Sequence, residues 1–347
     1  MTNGILFSSA TRKTSRLALD QWGSPGARIK LNHNMPMSWL SQLLASPIHG
    51  VSYNTGMDKS PRSLLAVLAH PDDESFGMGG TLALYAQQGV IVNLVCATRG
   101  EVGEVKPELL QGYASIGDLR AAELKCAAGH LGLSGVYFLG YRDSGMPGSP
   151  DNQHPLALAA APVNEVAEKV THYIRLLRPQ VILTFDPIGG YRHPDHIAIH
   201  QATVQAFHAA GDPGACSAYP DDLPVYQPAR LYFHVIPKHF LKWAVRLLPL
   251  VGKDPRRFGQ NGDIDLLALV ADEFPIHARI NYRSVQERKE AASACHSSQG
   301  GMGLARGPWP LRLAFRLVSG VDSFMRAYPV AGRGVRERDL FTGIVLE

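Results

Sequence analysis

Two clusters of side chains in this 347-residue sequence have the composition of a reaction centre. The first is "HPDDE", His70 to Glu74, an imidazole and three consecutive acids directly behind the apolar run Leu64 to Ala69. The second is "FDPIGGYRHPDHIAIH", Phe185 to His200, where another apolar run ends in an acid, two glycines and Tyr191. In it His193 and His196 are three apart at the start of a helical pattern, and therefore share a face. Taken alone, the first cluster reads as a proline-marked helix start whose acids complement the positive helix end. Either histidine alone reads as a cap or a packed core residue. Together they bring imidazoles and carboxylates to one place, the ligand set of a catalytic zinc site. Such a site typically has three protein ligands, often two His and one carboxylate, and an open position for water. His70, Asp73 and His196 would supply that set. Ligand type alone also admits other divalent ions such as Fe2+.

These residues need a frame that carries them to one edge. Beyond Pro61, apolar runs alternate with helical patterns. "LLAVLA", "IVNLVCAT", "VYFLG" and "VILTFDP" are separated by "GGTLALYAQQG", "GDLRAAELKCAAGHLG" and "VNEVAEKVTHYIRLLRP". Continuous apolar strands separated by amphipathic helices predict an α/β, Rossmann-like fold, a mostly parallel doubly wound sheet with helices on both faces. Ligands collect at the carboxyl ends of such strands. His70, Thr98 to Glu101, Tyr141 to Asp143 and Asp186 to His196 all fall there.

"AHPDDE", "GGYRHPDH" and the intervening "YRDSGM" resemble the LmbE/PIG-L family of zinc-dependent de-N-acetylases. The likeness runs from about Leu64 to His200, with a weaker echo in "RKEAASACHSSQ". It implies that His70, Asp73 and His196 bind zinc, that Asp72 is the general base and that His193 faces the oxyanion. It further implies that Asp143 contacts His193, where a carboxylate would favour the protonated ring against the helix N-terminus. Tyr191 is a further candidate donor. Arg120 matches a substrate-binding arginine of members acting on N-acetylglucosaminyl-inositol, although a solvated helix arginine paired with Glu123 is an equal reading. Arg99 and Glu104, with Glu101, line the same edge and are candidates for sugar hydroxyls. Glu74 is expected to start the helix or to support a ligand. Gly79-Gly80 lacks the rest of any phosphate-binding motif and reads as close helix packing.

The expected activity is removal of acetyl from an N-acetylglucosamine-type conjugate. The alternatives are an amidase for a larger acyl group and a sugar-headgroup-binding protein. Residues 1–60 read as a loosely ordered extension with a short helix in "MSWLSQLLASP". Met57 suits a start codon, so the extension is expected to be an artefact of the gene model. Residues 61–347 read as one deacetylase domain, core 61–210, with a substrate-selecting cap and C-terminal region over 211–347. A formal charge of +4 with scattered cations argues against nucleic acid. No run reaches the roughly 20 apolar residues of a membrane span. "HFLKWAVRLLPLVGK" reads as a core-facing helix rather than a lipid contact. Four cysteines without a CxxC pair, with Cys96 and Cys126 in apolar patterns, predict buried free thiols and a cytoplasmic setting.

Overall fold

The computed structural model describes residues 61–215, 223–238, 265–301 and 320–345, with shorter pieces between 242 and 257. The helix expected near residue 40, the Met57 start and much of "HFLKWAVRLLPLVGK" lie outside the described residues. Among those described, seven strands form one sheet in the order β3-β2-β1-β4-β5-β7-β6. They are β1 Ser63–Leu68, β2 Ile91–Cys96, β3 Gly135–Phe138, β4 Val181–Phe185, β5 Arg230–His234, β6 Ala278–Asn281 and β7 Val321–Tyr328. The first five pair in parallel, and β7 runs antiparallel between β5 and β6.

β1 and β4 are buried at every position, which is why they show no apolar–polar alternation. A central parallel strand carries helices on both faces, so neither set of side chains meets water. Right-handed crossovers place α2 Gly79–Gln87 and α3 Ile116–Leu131 on one face, and α4 Val163–Leu177 with α5 Pro194–Ala209 on the other. α3 opens on Ser115, whose hydroxyl accepts from the Asp118 amide, and closes on left-handed Gly132. α4 buries Val166, Val170 and Ile174, a stripe of four-residue spacing. Gly80 lies so close to Tyr282 that a Cβ there would sit 2.1 Å from a ring carbon, consistent with the packing role expected of the doublet.

Strand order reverses between β1 and β4, so the connections leaving their carboxyl ends diverge and open a crevice. His70 and the Asp186 to His196 segment leave the sheet there.

Two expectations are corrected. Beyond residue 210 the chain is not only a cap, because β5, β6 and β7 extend the same sheet. They follow long connections, and β6 and β7 pair antiparallel, outside the strand–helix alternation of the first part of the chain. The thiol reading holds for Cys96, buried and free, but Cys126 and Cys295 form a disulfide across 169 residues. Cys126 sits on the outer face of α3, and its partner ends α7 Gln286–Cys295, the helix after α6 Leu266–Ala271. No helix among the described residues is long and apolar enough to cross a membrane.

Candidate active site

His70 follows β1, and the chain then turns through Pro71 and Asp72 into the short α1 Asp73–Phe76. The His70 amide donates to Asp73 Oδ2 at 2.7 Å, folding that carboxylate back beside the imidazole. From the far side of the crevice, His196 enters on the first turn of α5, with Phe185 stacked on its ring at a 3.9 Å centroid distance. His70 Nδ1 and His196 Nε2 approach to 3.3 Å. Asp73 lies beside both, its Oδ1 3.2 Å from His196 Nε2 and its Oδ2 3.6 Å from His70 Nδ1.

The outward nitrogens of both rings are engaged. His196 Nδ1 donates to the Gly189 carbonyl at 3.2 Å, and His70 Nε2 donates to Asp195 Oδ2 at 3.0 Å with Asp143 Oδ1 at 3.4 Å. Each bond fixes a tautomer and turns the other nitrogen's lone pair inward. Zinc–nitrogen and zinc–oxygen bonds of about 2.0–2.1 Å in a tetrahedron require ligand atoms about 3.3 Å apart. The two nitrogens, 3.3 Å apart, meet that spacing, and Asp73 has an oxygen within 3.2–3.6 Å of each, so the donor set fits a zinc ion. The electrostatics agree. Burial alone would lower the His70 pKa, yet Asp143, Asp195 and Asp73 raise it well above its usual value. Burial works to raise Asp73, but His196 and His70 hold it well below the carboxylate range. The centre favours positive charge.

Asp72 has φ 113°, a conformation that side chains other than glycine rarely adopt and that costs about 1–3 kcal/mol. Its carboxylate meets α3, where Arg120 Nη2 donates to Oδ2 at 3.1 Å. Burial is the main cause of a pKa pushed up to about 6; Arg120 opposes the rise and Asp73 adds to it. Arg120 is neither solvated nor open to a sugar. It is 4% exposed and donates also to the Pro71 carbonyl at 2.7 Å and the Gly100 carbonyl at 3.0 Å. It braces the turn through Pro71 and Asp72.

His193 is the N-cap of α5, its Nδ1 accepting from the Asp195 amide at 3.2 Å. Burial first, then the charges of His70 and His196, push its pKa down to about 2, so the ring is neutral with its proton on Nε2. The Asp143 carboxylate expected on His193 lies on His70 instead, and accepts from the Gly145 amide at 2.8 Å. The reason is local: "DSG" turns back on itself, Asp143 accepting from the residue two ahead. Tyr191 lies edge-on to His196 at a 5.0 Å centroid distance, and burial keeps its hydroxyl protonated. Arg99 and Glu104 are exposed; Arg99 reaches Asp118 at 3.5 Å. Glu101 accepts from the Asp143 amide.

Asp195 escaped the sequence reading, and Glu74 and Glu123 have partners that it did not name. Asp195, completely buried, accepts from His70, the Ser144 amide and the Ser144 hydroxyl. Its signal was the second acid-histidine pair in "HPDH", legible only as a helix-start acid. Glu74 is buried and bonded to His296 Nε2 at 2.7 Å. Glu123 accepts from Ser297, from the Ser298 amide and from the Ser298 hydroxyl, so the "HSSQ" echo locks onto α1 and α3.

The GlcNAc-PI de-N-acetylase (PIG-L) family profile matches residues 65–207. The chain is 37% identical over 299 residues to the 1D-myo-inositol 2-acetamido-2-deoxy-alpha-D-glucopyranoside deacetylase of Acidothermus cellulolyticus, covering 82% of this chain and 95% of that protein. It is also 37% identical over 303 residues to the protein of the same name from Streptomyces avermitilis, covering 83% and 99%. The fold is shared with the 4-carboxy-2-hydroxymuconate hydratase of Pseudomonas putida, at TM-score 0.50 and 20% identity, covering 79% of this chain and 99% of that one. A hydratase on this fold shows that architecture alone does not choose the reaction. With sequence likeness spanning nearly the whole of the curated relatives, the chain belongs to the PIG-L de-N-acetylase family.

Proposed function

We propose that this chain is a metal-dependent deacetylase that hydrolyses the 2-acetamido group of an N-acetylglucosaminyl-inositol, giving acetate and a free amine. The convergence of His70 Nδ1, His196 Nε2 and Asp73 beside the ionisable Asp72 carries the reading. The names of the relatives support the substrate class.

His70, Asp73 and His196 would hold zinc. When bound, the ion supplies a Lewis acid for an amide carbonyl and lowers the pKa of water. Asp72 accepts the proton of the attacking water, for which a pKa near 6 leaves it ionised at neutral pH yet basic enough to act. His193 donates from Nε2 to the oxygen of the tetrahedral carbon; as a neutral donor it needs no carboxylate partner. Asp72 then returns its proton to the departing amine, and the C–N bond breaks. Asp195 and Asp143 act through His70, fixing which nitrogen faces the centre. Arg120 acts through Asp72. Arg99 and Glu104 are held as substrate contacts at the rim, and Tyr191 as one beside His196. The reading includes a cytoplasmic location, which subcellular fractionation checks.

The test is metal content and acetate release from N-acetylglucosaminyl-inositol for the wild type and Asp72→Ala, with longer acyl amides alongside. One metal in both proteins and turnover only in the wild type is the expected result. Preference for longer acyl groups would make the enzyme a broader amidase. Failure of either protein to bind metal would overturn the reading.

A further inference from the structure

The disulfide lies outside the reaction centre, yet both of its ends belong to elements that brace the catalytic turn. Cys126 is exposed on α3. One turn earlier on that helix, Glu123 receives Ser297 and Ser298, and one turn earlier again Arg120 holds Asp72. Cys295 is followed directly by His296, which pairs with Glu74 next to the ligand Asp73. α7 is tied to the same region by Lys289, donating to the Phe76 carbonyl, and by Arg288, donating to the His130 carbonyl. The cross-link thus closes a ring of contacts running Cys126, Glu123, Ser298, His296, Cys295 through two elements 169 residues apart. His130, one turn beyond Cys126, brings a ring nitrogen within 4.8 Å of both sulfurs.

We propose that Cys126–Cys295 is a reducible cross-link whose state sets the position of the catalytic turn and, through it, turnover. The idea rests on the deacetylase reading and on its cytoplasmic location. In compartments that keep thiols reduced, disulfides in mesophiles are mostly transient, catalytic or redox-sensing. The accessible sulfur defines the chemistry. A thiolate of a small dithiol attacks Cys126 Sγ, a mixed disulfide forms, the Cys126–Cys295 bond breaks and Cys295 leaves as a thiolate. Water returns to it the proton that the reductant's thiol gave up, with His130 beside the sulfur. The second thiol of the reductant then attacks the mixed disulfide and frees Cys126. The products are two protein thiols and one cyclic disulfide; a small-molecule disulfide drives the reverse. Loss of the cross-link frees the end of α7, slackens His296 against Glu74, and leaves the Asp72–Asp73 turn less constrained. A turn that no longer presents the base correctly lowers kcat and leaves the rim contacts, hence KM, largely unchanged.

The experiment uses the full chain with zinc, treated with dithiothreitol or with oxidised glutathione, the thiols counted by mass after alkylation. Acetate release is followed together with hydrogen exchange in peptides covering residues 70–77 and 296–299. Reduction is expected to lower kcat several-fold with KM within about twofold. It should speed exchange in both peptides and lower Tm by about 5 °C or more. The Cys126→Ser/Cys295→Ser double variant should match the reduced protein and ignore both reagents. Equal kcat and exchange in the two states, thiols that stay free under oxidised glutathione, or a double variant that still responds would overturn the proposal. A second equivalent of zinc bound by the reduced chain and lost in the double variant would overturn it too, assigning Cys126, His130 and Cys295 to a metal. If neither state turns over the amide, the deacetylase reading has failed, and exchange in the two peptides still decides whether the cross-link governs the turn.

Discussion

Replacing Arg120 by Gln should move the acid limb of the pH–activity profile upward. Its guanidinium lies 3.1 Å from the Asp72 carboxylate, and only 17% of that side chain is exposed. With charge centres about 4 Å apart and an effective dielectric constant of about 20, the attraction is about 4 kcal/mol, a ceiling of about three pKa units. Carboxylates beside an arginine show shifts of about 1–3 units, and the lower part of that range suits a pair near the surface of the crevice. Asp72 is pushed up to about 6 with Arg120 in place, so the variant should titrate at about 7–8. The base works ionised, so its activity is present above its pKa and lost as pH falls through it. At pH 7 the ionised fraction drops from about nine tenths to between about a half and a tenth, a loss of about two- to tenfold that disappears near pH 9. The assay is kcat/KM from pH 5 to 9.5, with metal content measured in parallel. A substrate-binding arginine would instead raise KM at every pH and leave the limb where it was. That result, or a limb that moves down, refutes the bracing role.

Asp195→Ala should weaken zinc binding about 10- to 100-fold, because His70 Nε2 loses its nearer acceptor; an unchanged Kd by competition with a chelator rejects this. Gly80→Ala forces a methyl to within 2.1 Å of the Tyr282 ring and should cost about 1–3 kcal/mol, read as a lower denaturation midpoint. A wild-type midpoint would mean that the ring simply moves. Burial works against protonating His296, but Glu74 wins and raises its pKa above the usual value. A histidine raised on folding adds stability that is complete below its unfolded pKa of about 6.5 and is lost as pH rises through the folded value. The wild type should therefore lose more Tm than His296→Gln above neutrality, and parallel Tm–pH curves would dismiss the pair as a source of stability.

What the sequence made legible follows from where its signals are local. Leu64 to Ala69 and Val181 to Phe185 announce buried strands because both faces are covered, and a parallel sheet then brings His70 and His196 to one edge without further information. The partners of those residues were hidden because they are set by side-chain reach across the fold. Asp143 is as close in sequence to a His193 role as to any other, and only the return of the "DSG" turn puts it on His70. Arg120 reads as a surface residue of α3 until Gly100, in a left-handed turn with no Cβ to block it, lets the guanidinium pass beneath and reach Asp72. The disulfide was invisible for a similar reason. Cys126 looks apolar in its helical pattern but lies on the exposed side of α3, against the end of a helix 169 residues later.

The acids after β1 also make sense as a charge balance. Asp72 has Arg120, and Glu74 has His296. Among the described residues, Asp73, Asp143 and Asp195 are left around His70 and His196, all largely buried and none of them salt-bridged to a lysine or arginine. Burying three carboxylates against two imidazoles is expensive unless a positive charge sits among them, since an unpaired buried charge costs several kcal/mol. A proton on His70 offsets one of the three, and a dication held by His70, Asp73 and His196 offsets two while using the lone pairs that the outer hydrogen bonds have turned inward. Of the acids after β1, Asp72 and Glu74 thus have cationic partners of their own, while the three carboxylates around His70 and His196 have no lysine or arginine. That is the arrangement expected of a site whose missing charge is supplied by a metal.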